Sequence, residues 1–332
     1  MNFSLTDKKN CDKLKEKDNK GRMTAMNKKV KIILSVLISV VLIFGAVTAI
    51  FFAVYPMSPK VEIKSAESRI KNTDELLIAS FNTAAPWGNL LNGTYTKRRA
   101  HLFAEQVNNI MPDTLGVQEM NGDWVEKMEE LLPQYSYYGV KRGGDSSEKT
   151  SEMSGIFYLK DKFTLIDSGT FWISETPEKE SYFEGAGCNR VCSYVVLENK
   201  ETNVKFVHFN THLDNVSEEA QTLGGELISQ YADEISKKYE GIYVVGTGDF
   251  NQYSNGLGCA ALEQNGYTNV GKSFGKDNLL TYNAWTRETA GSPIDFIFIN
   301  SEFSAKDYSV IHYDNAKSNV SDHYMITATL EF

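Results

Sequence analysis

The stretch Ile242-Tyr243-Val244-Val245-Gly246-Thr247-Gly248-Asp249-Phe250-Asn251 decides how the chain is read. It opens on a β-branched and aromatic run of strand length and passes through two glycines. It closes on Asp-Phe-Asn, where strand alternation puts both polar side chains on one face and Phe250 on the other. A buried strand of this kind carries acids and amides to the end of a sheet.

Outward from this stretch the pattern repeats. Strands are expected at Leu76–Asn82, Thr114–Glu119, Gly155–Leu159, Val191–Leu197, Lys205–Thr211, Ile242–Gly246, Ile294–Asn300 and Tyr324–Phe332. Helices are expected at Thr96–Ile110 and Glu218–Lys238. In the second helix Leu223, Leu227, Tyr231 and Ile235 recur every four residues and form one apolar stripe. Ser217 followed by Glu218 and Glu219 reads as its N-terminal cap, with acids placed favourably for the helix dipole. Strands flanked by helices predict packed sheets between helical layers.

The N-terminal part differs from the rest. Residues 1–55 carry ten Lys/Arg against four Asp/Glu. The remaining 24 bases and 39 acids leave residues 56–332 at −15, which gives no broad basic footprint for gripping a polyanion. Ile32 to Tyr55 is uncharged and would span about 36 Å as a helix, enough for a bilayer. Lys28, Lys29 and Lys31 precede it, so the positive-inside rule places the N-terminus in the cytoplasm and the rest outside. The alternative is a cleaved signal sequence with a small-residue site near Ala46–Thr48–Ala49. The expected organisation is a basic, unstructured cytoplasmic tail (1–29), a transmembrane helix (30–55), a linker (56–73) and one α/β domain (74–332). Cys11, Cys188, Cys192 and Cys259 match no zinc spacing. Cys188 and Cys192 are read as free thiols, because extended chain between them exceeds disulfide reach. Arg142-Gly143-Gly144-Asp145 reads as a surface loop, and His208 as a satisfied core histidine.

Polar residues cluster where strands end. Asn82 and Glu119 each close a strand, and His212 closes another. Asp249 and Asn251 follow the run quoted above, Asp295 lies in Pro-Ile-Asp-Phe-Ile-Phe, and Asp322-His323 precedes the last strand. A lone strand-end acid is ordinary turn chemistry. Several together with two histidines form a hard-oxygen set suited to Mg²⁺ or Mn²⁺.

In order and type these segments resemble the endonuclease/exonuclease/phosphatase superfamily. The resemblance rests on Gly248-Asp249-Phe250-Asn251 and Ser321-Asp322-His323 with Ile294-Asp295 between. Ser80-Phe81-Asn82, Val117-Gln118-Glu119 and Asn210-Thr211-His212 support it. Phe171-Trp172-Ile173-Ser174-Glu175-Thr176-Pro177 and Thr281-Tyr282-Asn283 resemble segments of its bacterial members. It implies a deoxyribonuclease I-like α/β fold, a four-layer sandwich of two mixed β-sheets flanked by helices, here preceded by one transmembrane helix. It implies Asn82, Glu119 and Asp322 as holders of a Mg²⁺ or Mn²⁺ ion. Asp249 would orient or deprotonate the attacking water, and Asn251 would bind a phosphate oxygen or a second metal. Asp295 would pair with His323, which would contact the phosphate or donate a proton. Glu152 would pair with His212, and Arg190 would contact phosphate.

The implied activity is metal-dependent hydrolysis of phosphoesters, first of all phosphodiesters, outside the cytoplasmic membrane. Nucleic acid, a phospholipid headgroup and a small phosphate ester remain open as substrates, with the lipid bilayer as partner through residues 32–55. The competing function is a binding or scaffold protein that kept the fold without the chemistry.

Overall fold

The computed structural model describes residues 5–54, 59–85, 96–144, 151–286, 288–312 and 320–332. The chain divides into two compact units, Met1–Met57 and Ser58–Phe332.

The first unit is one helix, α1 (Leu5–Val54). Its Leu14–Ala53 portion is long and apolar enough to cross a membrane by length and composition. The basic tail, expected to lack structure, instead continues this helix back to Leu5. With Lys the commonest residue in 8–20 and no proline before Pro56, nothing in the sequence breaks it.

The second unit runs α2 (Glu67–Lys71), β1 (Glu75–Asn82), α3 (Thr96–Ile110), β2 (Thr114–Met120), α4 (Gly122–Leu131), β3 (Tyr135–Tyr138), β4 (Met153–Leu159), β5 (Phe163–Trp172), β6 (Val191–Asn199), β7 (Lys205–His212), α5 (Glu218–Lys238), β8 (Tyr243–Asp249), α6 (Leu257–Gln264), β9 (Thr268–Asn269), α7 (Val270–Ser273), β10 (Asp295–Ile299), β11 (Ser304–Ile311) and β12 (Met325–Glu331). Two six-stranded mixed sheets result, ordered β11-β12-β1-β2-β4-β3 and β5-β6-β7-β8-β10-β9. Each holds one parallel pair, β1/β2 in the first and β7/β8 in the second, joined by the crossover helices α3 and α5. The expected sandwich with helical outer layers is therefore what the chain adopts.

The helices show why. Ser217 Oγ accepts from Ala220 N at 3.1 Å and caps α5. Leu227 and Ile235 of the apolar stripe are buried, and Leu223 and Tyr231 pack against the same core. Phe250, on the opposite face from its polar neighbours, packs edge-on to Phe296 and tilted against Phe298.

Between the sheets lies a polar layer. Gln118 donates to Asn210 Oδ1 (2.7 Å) and to Ser80 Oγ (3.1 Å). Asn210 donates to the carbonyls of Val117 and Gly155, both at 2.8 Å. His208 is fully buried between Thr114 Oγ1 (2.9 Å) and Thr247 Oγ1 (2.8 Å), a satisfied core histidine as expected. Four of these six bonds cross from one sheet to the other, so the layer fixes one register of sheet on sheet. Gly116 is the price of closeness, because a Cβ there would overlap Thr247 and Asn210.

At the opposite end of β1 from Asn82, Asp113 is buried against Lys162 Nζ (2.9 Å) and the Arg69 guanidinium, and it accepts from Leu77 N at 2.7 Å. Arg69 lies on α2, Ala66 is buried beside it, and Val61 and Ile70 pack on the core. The described part of the expected linker is thus packed onto the domain, while residues 55–58 lie outside the described residues. Cys188, Cys192 and Cys259 are free, the last two buried.

Candidate active site

The two parallel pairs carry the site. β1, β2, β7 and β8 all point their carboxyl ends the same way, and these ends are Asn82, the Glu119 bend, His212 and Asp249. Strands β1 and β8 face each other across the sandwich, as do β2 and β7, so the four ends converge. An open cleft of about 330 Å³ forms there. Its lining includes Glu119, Arg190, His212, Asp249, Asn251, Asp322 and His323.

Backbone irregularity aims several of these groups. Opposite β4, β2 holds one extra residue between Val117 and Met120, a bulge that turns Glu119 out of the ladder with φ +60°. Asn251 (φ +50°) and Ala84 (φ +55°) also occupy the left-handed region. Each is held by a carboxylate or amide of the site. Asp249 Oδ1 accepts from Asn251 N (2.9 Å), Asn82 Oδ1 from Ala84 N (2.9 Å), and Glu119 Oε2 from Ala85 N. Such conformations are costly and persist where the surroundings overdetermine them.

Asp249 is the hub. Its Oδ2 accepts from Asn82 Nδ2 at 2.9 Å, and the same amide donates to Glu119 Oε1 at 2.9 Å. Nε2 of His212 and of His323 approach that Oδ2 at 3.5 and 3.6 Å from two sides. His323 Nδ1 donates to Asp295 Oδ2 at 2.8 Å. Asp295 is fully buried, and its register partner in the sheet is Asp249 itself.

The two imidazoles are pushed apart electrostatically. Burial opposes charge on His323, but Asp295, Asp249 and Asp322 outweigh it and raise its pKa to about 10. Burial drives His212 the other way, well below the usual histidine range, helped by Arg190, Arg142 and His323. Asn251 Nδ2 lies 2.9 Å from His212 Nε2 and donates to Leu213 O at 3.0 Å. A neutral His212 accepts that first bond through Nε2. Burial, and then Asp295, lift Asp249 to about 7 against His323 and its hydrogen bonds. Burial also raises Asp322, and Glu119 adds to it.

Arg190 is buried, donates to Asn215 Oδ1 (3.1 Å) and stands 3.6 Å from Asp214. Its Nη1 is buried without a hydrogen-bond partner among the described residues. Glu152 pairs with Arg142 at 2.9 Å, and both line a small cavity with His212, Arg190 and Glu119. All the residues named from sequence therefore meet at one end of the sandwich. Arg142 differs from its reading as a surface loop, since its guanidinium turns inward onto Glu152. Sequence reasoning also passed over Arg99, Tyr282 and Asn215. Tyr282 stands at the cleft with its ring 5.0 Å from that of His323, and the Thr-Tyr-Asn segment was the available signal.

Glu119, His212 and Asp249 offer ligand atoms within 4.8 Å of one another, as do Asp249, Asp295 and His323. The second trio reads better as a hydrogen-bonded relay, since its Asp–His contact is already made. With Asn82 and Asp322 alongside, the first gives a hard-oxygen environment. Asp322 and Glu119 repel each other there, so the donors fit a divalent cation.

Comparisons with known proteins bear on the fold and the family. An endonuclease/exonuclease/phosphatase family protein from Bacteroides thetaiotaomicron superposes with a TM-score of 0.71 at 28% identity, over 78% of this chain and 95% of its own. A mannosyl-6-phosphatase from Bacteroides thetaiotaomicron VPI-5482 gives 0.71 and 28%, over 77% and 100%. The human Nocturnin catalytic domain shares the fold alone, at 18% identity and TM-score 0.64 over 78% and 94%. No curated protein matches the sequence. The sequence model of the Endonuclease/Exonuclease/phosphatase family matches residues 79–323, most of the second unit, and the chain belongs to that family.

Proposed function

We propose that the protein is a Mg²⁺- or Mn²⁺-dependent phosphoester hydrolase, a phosphodiesterase in the first instance. It is held in a membrane by residues 32–55 with its catalytic unit outside the cytoplasm. The observation that carries the chemistry is the placement of one carboxylate, Asp249, between a histidine held protonated and a histidine held neutral. Groups whose environments drive their proton affinities apart divide acid and base work between them.

Asn82, Glu119 and Asp322 would hold the cation. When bound, it neutralises charge on the reacting phosphoryl group and on the leaving oxygen. The other groups are the chain's own. Asp249 takes a hydrogen bond from the attacking water and receives its proton. His323, fixed by Asp295, donates to a phosphoryl oxygen. Arg190 contributes Nη1 to the phosphate. Asn251 has already spent Nδ2 on His212 and Leu213, so Oδ1 is the group it can offer, which suits a water or a second cation. Glu152 and Arg142 back His212. Every position the reaction needs is filled, which favours catalysis over a scaffold role.

A second reading has one observation in its favour. The 28% identity to a mannosyl-6-phosphatase over 77% of the chain points to a sugar phosphate monoester. A panel decides: bis-p-nitrophenyl phosphate, a hexose 6-phosphate, DNA, RNA and phospholipid vesicles, each with Mg²⁺, Mn²⁺ or EDTA. Turnover of at least one substrate, lost on chelation and restored by the metal, is expected. Turnover untouched by EDTA rules out the metal, and no turnover at all favours the scaffold.

For topology, protease added to intact cells is expected to digest the catalytic unit and leave a small basic fragment. Protection of the whole chain reverses the orientation, and a soluble mature form points to signal cleavage.

A further inference from the structure

Arg99 takes no part in the chemistry above, yet it touches both segments that deliver the cation ligands. It lies in the first turn of α3 and is fully buried. Nη1 donates to the carbonyls of Thr83 (2.6 Å), Val320 (3.3 Å) and Ala84 (3.4 Å). Nη2 donates to those of Ala85 (3.0 Å) and Ala84 (3.3 Å). The indoles of Trp124 and Trp285 both lie 5.2 Å from its Cζ. The first three-residue segment directly follows Asn82, and its amides hold Asn82 and Glu119 in turn. Val320 directly precedes Ser321-Asp322-His323, and Ser321 Oγ donates to the Asn82 carbonyl at 2.7 Å.

We infer that Arg99 is the clasp of the cation site, a positioning residue that holds the Asn82–Glu119 segment and the Asp322 segment at a spacing one divalent ion can bridge. This rests on the reading of Asn82, Glu119 and Asp322 as cation ligands. A fork of five N–H donors can serve several carbonyls of two segments at once, and a lysine ammonium cannot reproduce that geometry. The bonds to Thr83, Ala84 and Val320 are buried, so losing the fork takes a donor from each of these carbonyls and frees the segments to shift.

The physics supplies a test by sign. A guanidinium near Glu119 and Asp322 repels an incoming cation by its charge alone. Charge by itself thus makes Arg99 weaken metal binding, whereas clasping makes Arg99 strengthen it. Mn²⁺ binding to the full-length chain in detergent micelles, read by the loss of the free-ion paramagnetic resonance signal, separates the two.

Arg99→Lys and Arg99→Met are each expected to weaken Mn²⁺ binding by about 10–100-fold, the usual cost of losing a partner behind a ligand. Trp285→Leu removes one stacking face but leaves the hydrogen bonds, and is expected to weaken it by about 2–10-fold. Near-UV circular dichroism checks the fold, and Trp285→Leu and Arg99→Lys carry the test if Arg99→Met unfolds. Wild-type affinity in Arg99→Lys, with tighter binding in Arg99→Met, would make Arg99 a mere charge and overturn the clasp. Asp322→Asn separates this from the ligand assignment. Weakened binding there with intact binding in the Arg99 and Trp285 variants defeats the clasp alone. Unchanged binding in Asp322→Asn defeats the ligand assignment and the clasp with it.

Discussion

His323→Ala lowers kcat by about 10²–10⁴-fold on whichever phosphoester the panel identifies, the range for a positioned proton donor. The geometry makes this residue singular among the histidines. One ring nitrogen is committed to Asp295 at 2.8 Å, and the other is aimed at Asp249, the proposed base. Asp295 has no other evident task, because it is fully buried and its second oxygen lacks a partner among the described residues. Asp295→Ala is therefore also severe, and the double variant is little worse than the worse single, since residues acting as one unit are not additive. Mn²⁺ affinity stays near wild type in both singles, whereas Asp322→Ala weakens it. Steady-state kinetics and metal titration on the same four variants check the set. Multiplicative losses in the double variant would refute the pairing.

The polar ends of the central strands were legible because their signals are local. An apolar run that stops at Asp249 or Asn82 marks both a strand and its exit. Thr96–Ile110 and Glu218–Lys238 carried complete helical periodicity and were met at their observed bounds. The edge strands were not legible. Phe163–Trp172 and Ser304–Ile311 each carry a register shift and mix Asp, Ser and Thr or Lys with apolar residues on half-exposed faces. Their pairing is set by neighbours rather than by their own pattern. Burial of charge was hidden for a similar reason. Arg99 and Arg142 look like surface residues in a polar helix turn and a glycine-rich loop. Only the carbonyls of residues 83–85 and 320, or Glu152, all outside the local turn, reveal where the guanidinium goes. The same holds for Asp113 and Lys162, whose partnership joins two strand ends 49 residues apart.

Activity follows a bell-shaped pH profile whose two limbs both move to lower pH in Asp295→Asn. The wild-type limbs come from opposite requirements. As the proposed base, Asp249 must be ionised to take a proton from water, so activity is expected to fall as pH drops through its pKa. Burial first, and then Asp295, raise that pKa to about 7 in the absence of a cation. His323 must be protonated to donate, so activity falls as pH rises through its pKa, which Asp295, Asp249 and Asp322 push to about 10 against burial. A bound cation stabilises the Asp249 carboxylate and draws the acid limb down, so the limb shifts with Mg²⁺ concentration while the alkaline limb shifts less. Removing the Asp295 charge takes away a repulsion from Asp249 and an attraction for the proton on His323. Both pKa values then fall. The alkaline limb moves further, because His323 loses a direct charged hydrogen bond whereas Asp249 loses one contribution second to burial. The limbs belong to the coupled cluster rather than to either residue alone. The measurement is kcat/KM against pH for wild type and Asp295→Asn at two Mg²⁺ concentrations. An alkaline limb that stays in place in the variant removes His323 from the role of proton donor. An acid limb that moves upward removes Asp249 from the role of base.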